Sequence, residues 1–193
     1  MSMTCEVTKN GTCVFLPREV DRILTIVNPT YRAIFEGLLH SQMRIEEFRW
    51  FVGHPEAYKA SRRCISLPKE AIRKTETLFK ERDVILSVRG CQAIEHLISM
   101  HLKPKDFPSR QAMNVYLNKR AIEAGIGDEG VCPKAFRKSV ISWLIAIYPE
   151  KHAWINSSAG HTSDIQLRHY MGIAFNRGDL DDMRTWLKGW GEA

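Results

Sequence analysis

The chain has 193 residues and a formal net charge of +6, from 28 Lys and Arg against 22 Asp and Glu. Hydrophobic residues make up 44% and charged residues 26%, a balance that fits a soluble globular protein of about one domain and excludes a disordered chain. The basic excess suits a polyanionic partner without requiring one.

Residues 3–16 read as a hairpin in which TCEV and TCVFL are joined across Asn10-Gly11, a favoured two-residue turn. Pro17 then opens a helix through Ile26, with Val20, Ile23, Leu24 and Val27 on one face. Pro29 starts another, carrying Ile34, Phe35, Leu38 and Leu39, and a short helix follows from about Arg44 to Phe51. Between 53 and 87, Gly53, Pro55 and Pro68 break helices, while CISL and TLFKERDVILS are strand-like. This stretch reads as a small antiparallel sheet.

Helical spacing returns at 88–102 through Ile94, Leu97, Ile98 and Leu102. Ser109 is placed to cap a helix ending near Gly125, and Pro133 opens one with Phe136, Val140, Leu144 and Ile147. VISWLIAIY at 140–148 is too short to cross a bilayer and reads as a core helix. The last third is expected to be helical over about 152–158, 163–171 and 179–189. The expected fold is mainly α with a small antiparallel β-sheet, in one domain over 1–193.

Five cysteines form an odd set with no CxxC spacing, which argues against a disulfide framework and against a Cys-rich zinc site. Cys5 and Cys13 could face each other across the hairpin, but are read as ordinary strand residues. No N-terminal apolar segment resembles a signal peptide, and the expected setting is cytoplasmic, without membrane contact.

Four segments carry chemistry. AGHTSDIQLRHYMG at 159–172 places Tyr170 nine residues after His161. PKAFRKSVISWL at 133–144 contains Lys134 and Arg137 at the spacing KxxR. LLHSQMRIEEF at 38–48 contains Arg44 and Glu47, and RKTETLFKERDVILS at 73–87 contains Lys74 and Lys80. Taken in chain order, and over almost the whole chain from about Pro17 to Trp190, they resemble the motifs of the tyrosine recombinase (phage-type integrase) family. The KxxR variant looks closest to integrases of archaeal viruses and plasmids.

The resemblance implies the family's catalytic-domain fold and a site made of Tyr170, Arg44, Arg137, His161, Lys74 and Lys134, with Lys80 as the alternative to Lys74. Tyr170 would attack a DNA phosphate and form a covalent 3′-phosphotyrosine. Arg44 and Arg137 would hold the non-bridging oxygens by bidentate, always-charged contacts. His161 would bind phosphate or shuttle a proton, and Lys74 would protonate the leaving oxygen. Lys134 stands where the family usually has histidine, so it can bind phosphate but makes a poor base.

The implied activity is site-specific integration and excision of a mobile element, with double-stranded DNA attachment sites as substrate. Four protomers would act in a synapse, without metal or cofactor. Family members commonly carry a separate core-binding domain before the catalytic one. The rival readings are a type IB topoisomerase, a catalytically silent DNA-binding regulator of the same fold, and an unrelated basic helical interaction module. The apolar stripe of Leu180, Met183, Trp186 and Leu187, within the segment 178–193, is open between packing on its own domain and docking into a neighbouring protomer.

Overall fold

The computed structural model describes residues 5–72, 81–160, 170 and 172–192. Its first element is a hairpin of β1 (Thr8–Lys9) and β2 (Thr12–Cys13), paired antiparallel. Asn10 and Gly11 both adopt positive φ, 51° and 64°, the left-handed pair that a two-residue turn with the strands' own twist requires. The sequence reading is corrected at the cysteines: Cys5 and Cys13 are disulfide-bonded, with Cα atoms 5.9 Å apart. Val14 N donates to Val7 O at 2.9 Å, so the pairing continues past the strands and brings the two side chains together on the inner face. Cys64, Cys91 and Cys132 are free.

Helices α1 (Pro17–Ile26) and α2 (Pro29–Ser41) both begin with proline, whose missing N–H costs nothing in a first turn. The expected faces are buried, Val20, Ile23 and Leu24 on α1 and Ile34, Phe35, Leu38 and Leu39 on α2. Helix α3 (Ile45–Val52) follows a left-handed Gln42. A three-stranded antiparallel sheet, in the order β3 (Tyr58–Lys59), β4 (Cys64–Leu67), β5 (Arg82–Ile85), occupies the expected middle region. Its register pairs Cys64 with Ile85 and Leu67 with Arg82. Residues 73–80, with Lys74 and the first part of the expected strand carrying Lys80, lie outside the described residues.

Helix α4 (Val88–Ser99) packs on α2, and α5 (Arg110–Glu123) is capped by Ser109, whose Oγ accepts the Ala112 N–H at 3.1 Å. At the centre lies α6 (Pro133–Ile147), buried from Pro133 through Ile145 apart from Lys134. A helix apolar on nearly every side is covered on every side. Phe136 packs between Phe15 and Phe35, with ring centroids 5.2 and 5.0 Å away. Among the described residues no helix is long and apolar enough to cross a membrane.

Helix α7 (His152–Ala159) ends at Gly160, which adopts φ 66°. The expected helix over 163–171 falls mostly outside the described residues. Helix α8 (Arg177–Leu187) starts at Asn176, whose side chain accepts the Asp179 N–H while Asp179 accepts the Asn176 N–H, both at 3.0 Å. Its Met183, Trp186 and Leu187 are buried against α1, α4 and α6 of the same chain. In this chain those three side chains of the stripe pack on their own domain, and each contributes roughly 1.5–3 kcal/mol by leaving water. Trp190 is buried as well, its indole N–H donating to Ile85 O at 3.0 Å, whereas Trp154 is exposed.

Candidate active site

Three arginines converge on the C-terminal end of α7. The last carbonyls of a helix have no partner within it and carry the negative end of its dipole, so cations settle there. Arg82 Nε donates to Ser158 O at 3.0 Å, Arg137 Nη2 to Ala159 O at 2.7 Å, and Arg44 Nη2 reaches Gly160 O at 3.5 Å. Each guanidinium comes from a different element: Arg44 from the residue capping α3, Arg82 from β5 and Arg137 from α6.

Glu47 binds this group together. One carboxylate oxygen accepts Arg44 Nη1 at 2.8 Å, and the other accepts both the Arg44 backbone N–H and Arg82 Nη2, each at 2.7 Å. The carboxylate thus caps its own helix and pairs with two cations. Burial pushes the Glu47 carboxyl upward, but the charge and hydrogen bond of Arg82, with Arg137 and Arg44, hold it below the usual carboxylate range.

Arg137 is buried and makes a second bond, from Nη1 to Gln42 O. Desolvation lowers it to about 10, with the charges of Arg44 and Arg82 acting in the same direction. Tyr170 is 7% exposed and its phenol shares a side-chain hydrogen bond with Arg137. Burial raises the phenol above its ordinary value; the charges of Arg137 and Arg44 oppose that shift without cancelling it. The tyrosine is therefore a neutral phenol at rest, held against a permanent cation. The Arg44 side chain is 28% exposed, and it is the guanidinium of the three that meets solvent most.

Of the six site residues expected from sequence, Arg44, Arg137 and Tyr170 come together here. Lys134 is exposed in the first turn of α6, one turn before Arg137. His161 and Lys74, with the alternative Lys80, lie outside the described residues.

Arg82 was not anticipated. Its side chain is 1% exposed, and its Nη1 is buried without a hydrogen-bond partner among the described residues. The signal was strand alternation: Arg82 shares a phase with the buried Val84 and Leu86, which puts an arginine on the inward face. Gly160 makes room for it, since a Cβ there would stand 3.0 Å from Arg82 Nη1.

No protein-family model matches the chain, and no curated protein sequence matches it. Among solved structures, the chain is similar to the crystal structure of XerA recombinase, with a TM-score of 0.62 at 16% sequence identity. The similarity covers 93% of this chain and 65% of the XerA recombinase chain, so this chain spans less than two thirds of that protein's length. The fold, a helical body with small antiparallel sheets, is shared with XerA recombinase.

Proposed function

We propose that this chain cleaves and rejoins DNA as a tyrosine site-specific recombinase, and that Tyr170 is its nucleophile. The observation that carries the reading is the Tyr170 phenol hydrogen-bonded to Arg137 and within the field of Arg44, on a fold shared with XerA recombinase. A phenol placed against two guanidiniums suits attack on a phosphodiester, whose negative oxygens those guanidiniums can bind.

In the proposed reaction the Tyr170 oxygen forms a bond to phosphorus as its proton passes to solvent, and the bond from phosphorus to the 5′ oxygen breaks. The leaving oxygen takes a proton and becomes a 5′ hydroxyl. The product is a 3′-phosphotyrosine, and attack by a 5′ hydroxyl reverses the steps and reseals a strand. Arg44 and Arg137 neutralise the two non-bridging oxygens. His161 assists at the phosphate, Lys74 or Lys80 supplies the proton, and the exposed Lys134 adds a phosphate contact.

Arg137 carries two carbonyl bonds that fix its plane before substrate binds, so little reorganisation is needed at the moment of attack. Integration or excision of a viral or plasmid element, attachment-site duplexes as substrate and a tetrameric synapse complete the proposal. So does a cytoplasmic, nucleoid-associated location for the working enzyme.

The test is covalent trapping on labelled, nicked duplex DNA, comparing wild type with Tyr170→Phe on a denaturing gel. A slow-migrating adduct with wild type alone is expected. DNA binding without any adduct would instead identify a non-cleaving regulator of the same fold. Relaxation of a supercoiled plasmid by a monomer would identify a topoisomerase.

A further inference from the structure

The N-terminal hairpin is fastened to α6, the helix that carries Arg137, and to the turn that precedes it. Cys13 N donates to Gly130 O at 2.9 Å, Phe15 N donates to Ser139 Oγ at 2.7 Å, and Trp143 Nε1 donates to Phe15 O at 2.9 Å. Below the strands the Cys5–Cys13 disulfide closes the base. The buried Glu19 carboxylate accepts Leu16 N at 2.8 Å and Glu6 N at 3.1 Å, holding both arms. At the tip, the Lys138 ammonium donates to the Lys9 carbonyl.

This places the half-buried side chain of Lys9 at the segment of Tyr170. A methyl group built on Gly172 would lie 3.7 Å from Lys9 Nζ. Gly172 follows Tyr170 by two residues, so the ammonium sits beside backbone within about 7 Å of the tyrosine along the chain. Lys138 is next to Arg137 and one turn beyond Lys134 on α6. Burial, with the charges of Lys134 and Lys9, brings the Lys138 ammonium down to about 8. Lys9 and Lys134 thus both lie close enough to Lys138 for their charges to act on it, and like charges held together gain from a bound anion.

We propose that the hairpin is an added phosphate clamp, in which Lys9 contacts a DNA phosphate flanking the one that Tyr170 faces. The inference rests on the DNA reading of the Tyr170 site and adds to it a cation from outside the four sequence motifs. Lys9 acts on binding rather than as a catalytic residue, and Lys138 positions it by gripping its carbonyl. Because that grip uses the backbone of Lys9, shortening the Lys9 side chain leaves the hairpin attached.

The experiment measures the affinity of the full chain for a labelled duplex over a series of salt concentrations, for wild type, Lys9→Ala, Lys9→Gln and Lys9→Arg. Removing one phosphate contact weakens binding at low salt and reduces the slope of log affinity against log salt by about 0.9. Lys9→Ala and Lys9→Gln should both show this when measured below their thermal midpoints, while Lys9→Arg restores the slope. Slopes and affinities for both neutral variants equal to wild type would overturn the proposal. Adduct formation by wild type and Tyr170→Phe is followed on the same duplex. Binding without an adduct removes the strand-cleavage reading while the salt slopes still decide the role of Lys9. A wild-type chain that binds no DNA overturns both.

Discussion

Arg82 and Glu47 are joined by a 2.7 Å ion pair with 1% and 3% of their side chains exposed. The pair links β5 to α3, and Glu47 passes the constraint on to Arg44, which faces solvent. Removing one partner from a buried pair leaves an uncompensated charge, and such changes cost roughly 3–5 kcal/mol. Arg82→Met should therefore lower stability in urea denaturation by that order. The double variant Arg82→Met with Glu47→Leu should recover a substantial part of the loss. A single variant within about 0.5 kcal/mol of wild type, the range of ordinary surface changes, would show that the pair is not the tie described.

Gly160 supports the same cluster by what it lacks. Its φ of 66° is in the left-handed region, and an added Cβ would also press on the Arg82 guanidinium, 3.0 Å from Nη1 and 3.1 Å from Cζ. The backbone strain alone costs about 1–2 kcal/mol for a residue with Cβ. Gly160→Ala is expected to lose at least that much stability, and to lose adduct yield on nicked DNA at a temperature where the chain is still folded. Gly125→Ala, also at positive φ, is the control: it should cost stability without altering adduct yield in the folded protein.

Much of this arrangement was legible beforehand, and the exceptions have physical causes. Pro17, Pro29 and Pro133 each start a helix where the sequence placed it, because proline at a first turn is a local rule. Arg44, Arg137 and Tyr170 were readable as a family pattern, although they meet only through tertiary packing. Arg82 escaped because alternation names an inward position without saying that Glu47 and Ser158 O will be there to satisfy a charge. The Cys5–Cys13 pair was weighed and set aside, because counting cysteines says nothing about which side of a hairpin they share. The carbonyls of Ser158, Ala159 and Gly160 could not be found at all, since backbone acceptors have no sequence signature.

His40 supplies a pH dependence with a definite sign. It lies on α2, stacked against Trp186 at 5.7 Å, and neither ring nitrogen has a hydrogen-bond partner among the described residues. Burial lowers it to about 3, and the nearby Arg89 cation adds to the effect. The folded chain therefore keeps His40 neutral, whereas the unfolded chain takes up its proton near the ordinary value of about 6.5. Stability is fully present above pH ~6.5 and falls as the pH drops towards 3, by about 1.4 kcal/mol per unit. Urea midpoints between pH ~6.5 and ~5, above the carboxylate range, should show this slope in wild type and a shallower one in His40→Leu. Identical slopes would mean that His40 is protonated or solvated in the folded chain.

The two site arginines should separate function from stability. Arg44 is partly exposed and pairs with Glu47 at its rim, whereas Arg137 is buried, bonded to Gln42 O and Ala159 O, and touches Tyr170. Arg44→Ala leaves Glu47 still paired with Arg82, so its stability cost should be near that of a surface pair, about 1 kcal/mol or less. Arg137→Ala abandons two buried carbonyls and a packed side chain, at roughly 1–3 kcal/mol for each acceptor left dry. If both guanidiniums bind the phosphate in the transition state, each variant should slow adduct formation on the order of 10²–10³-fold while still folded. Pre-steady-state adduct kinetics alongside urea denaturation would test this. Slow chemistry with near-native stability in Arg44→Ala is the decisive result, because a purely structural arginine could not produce it.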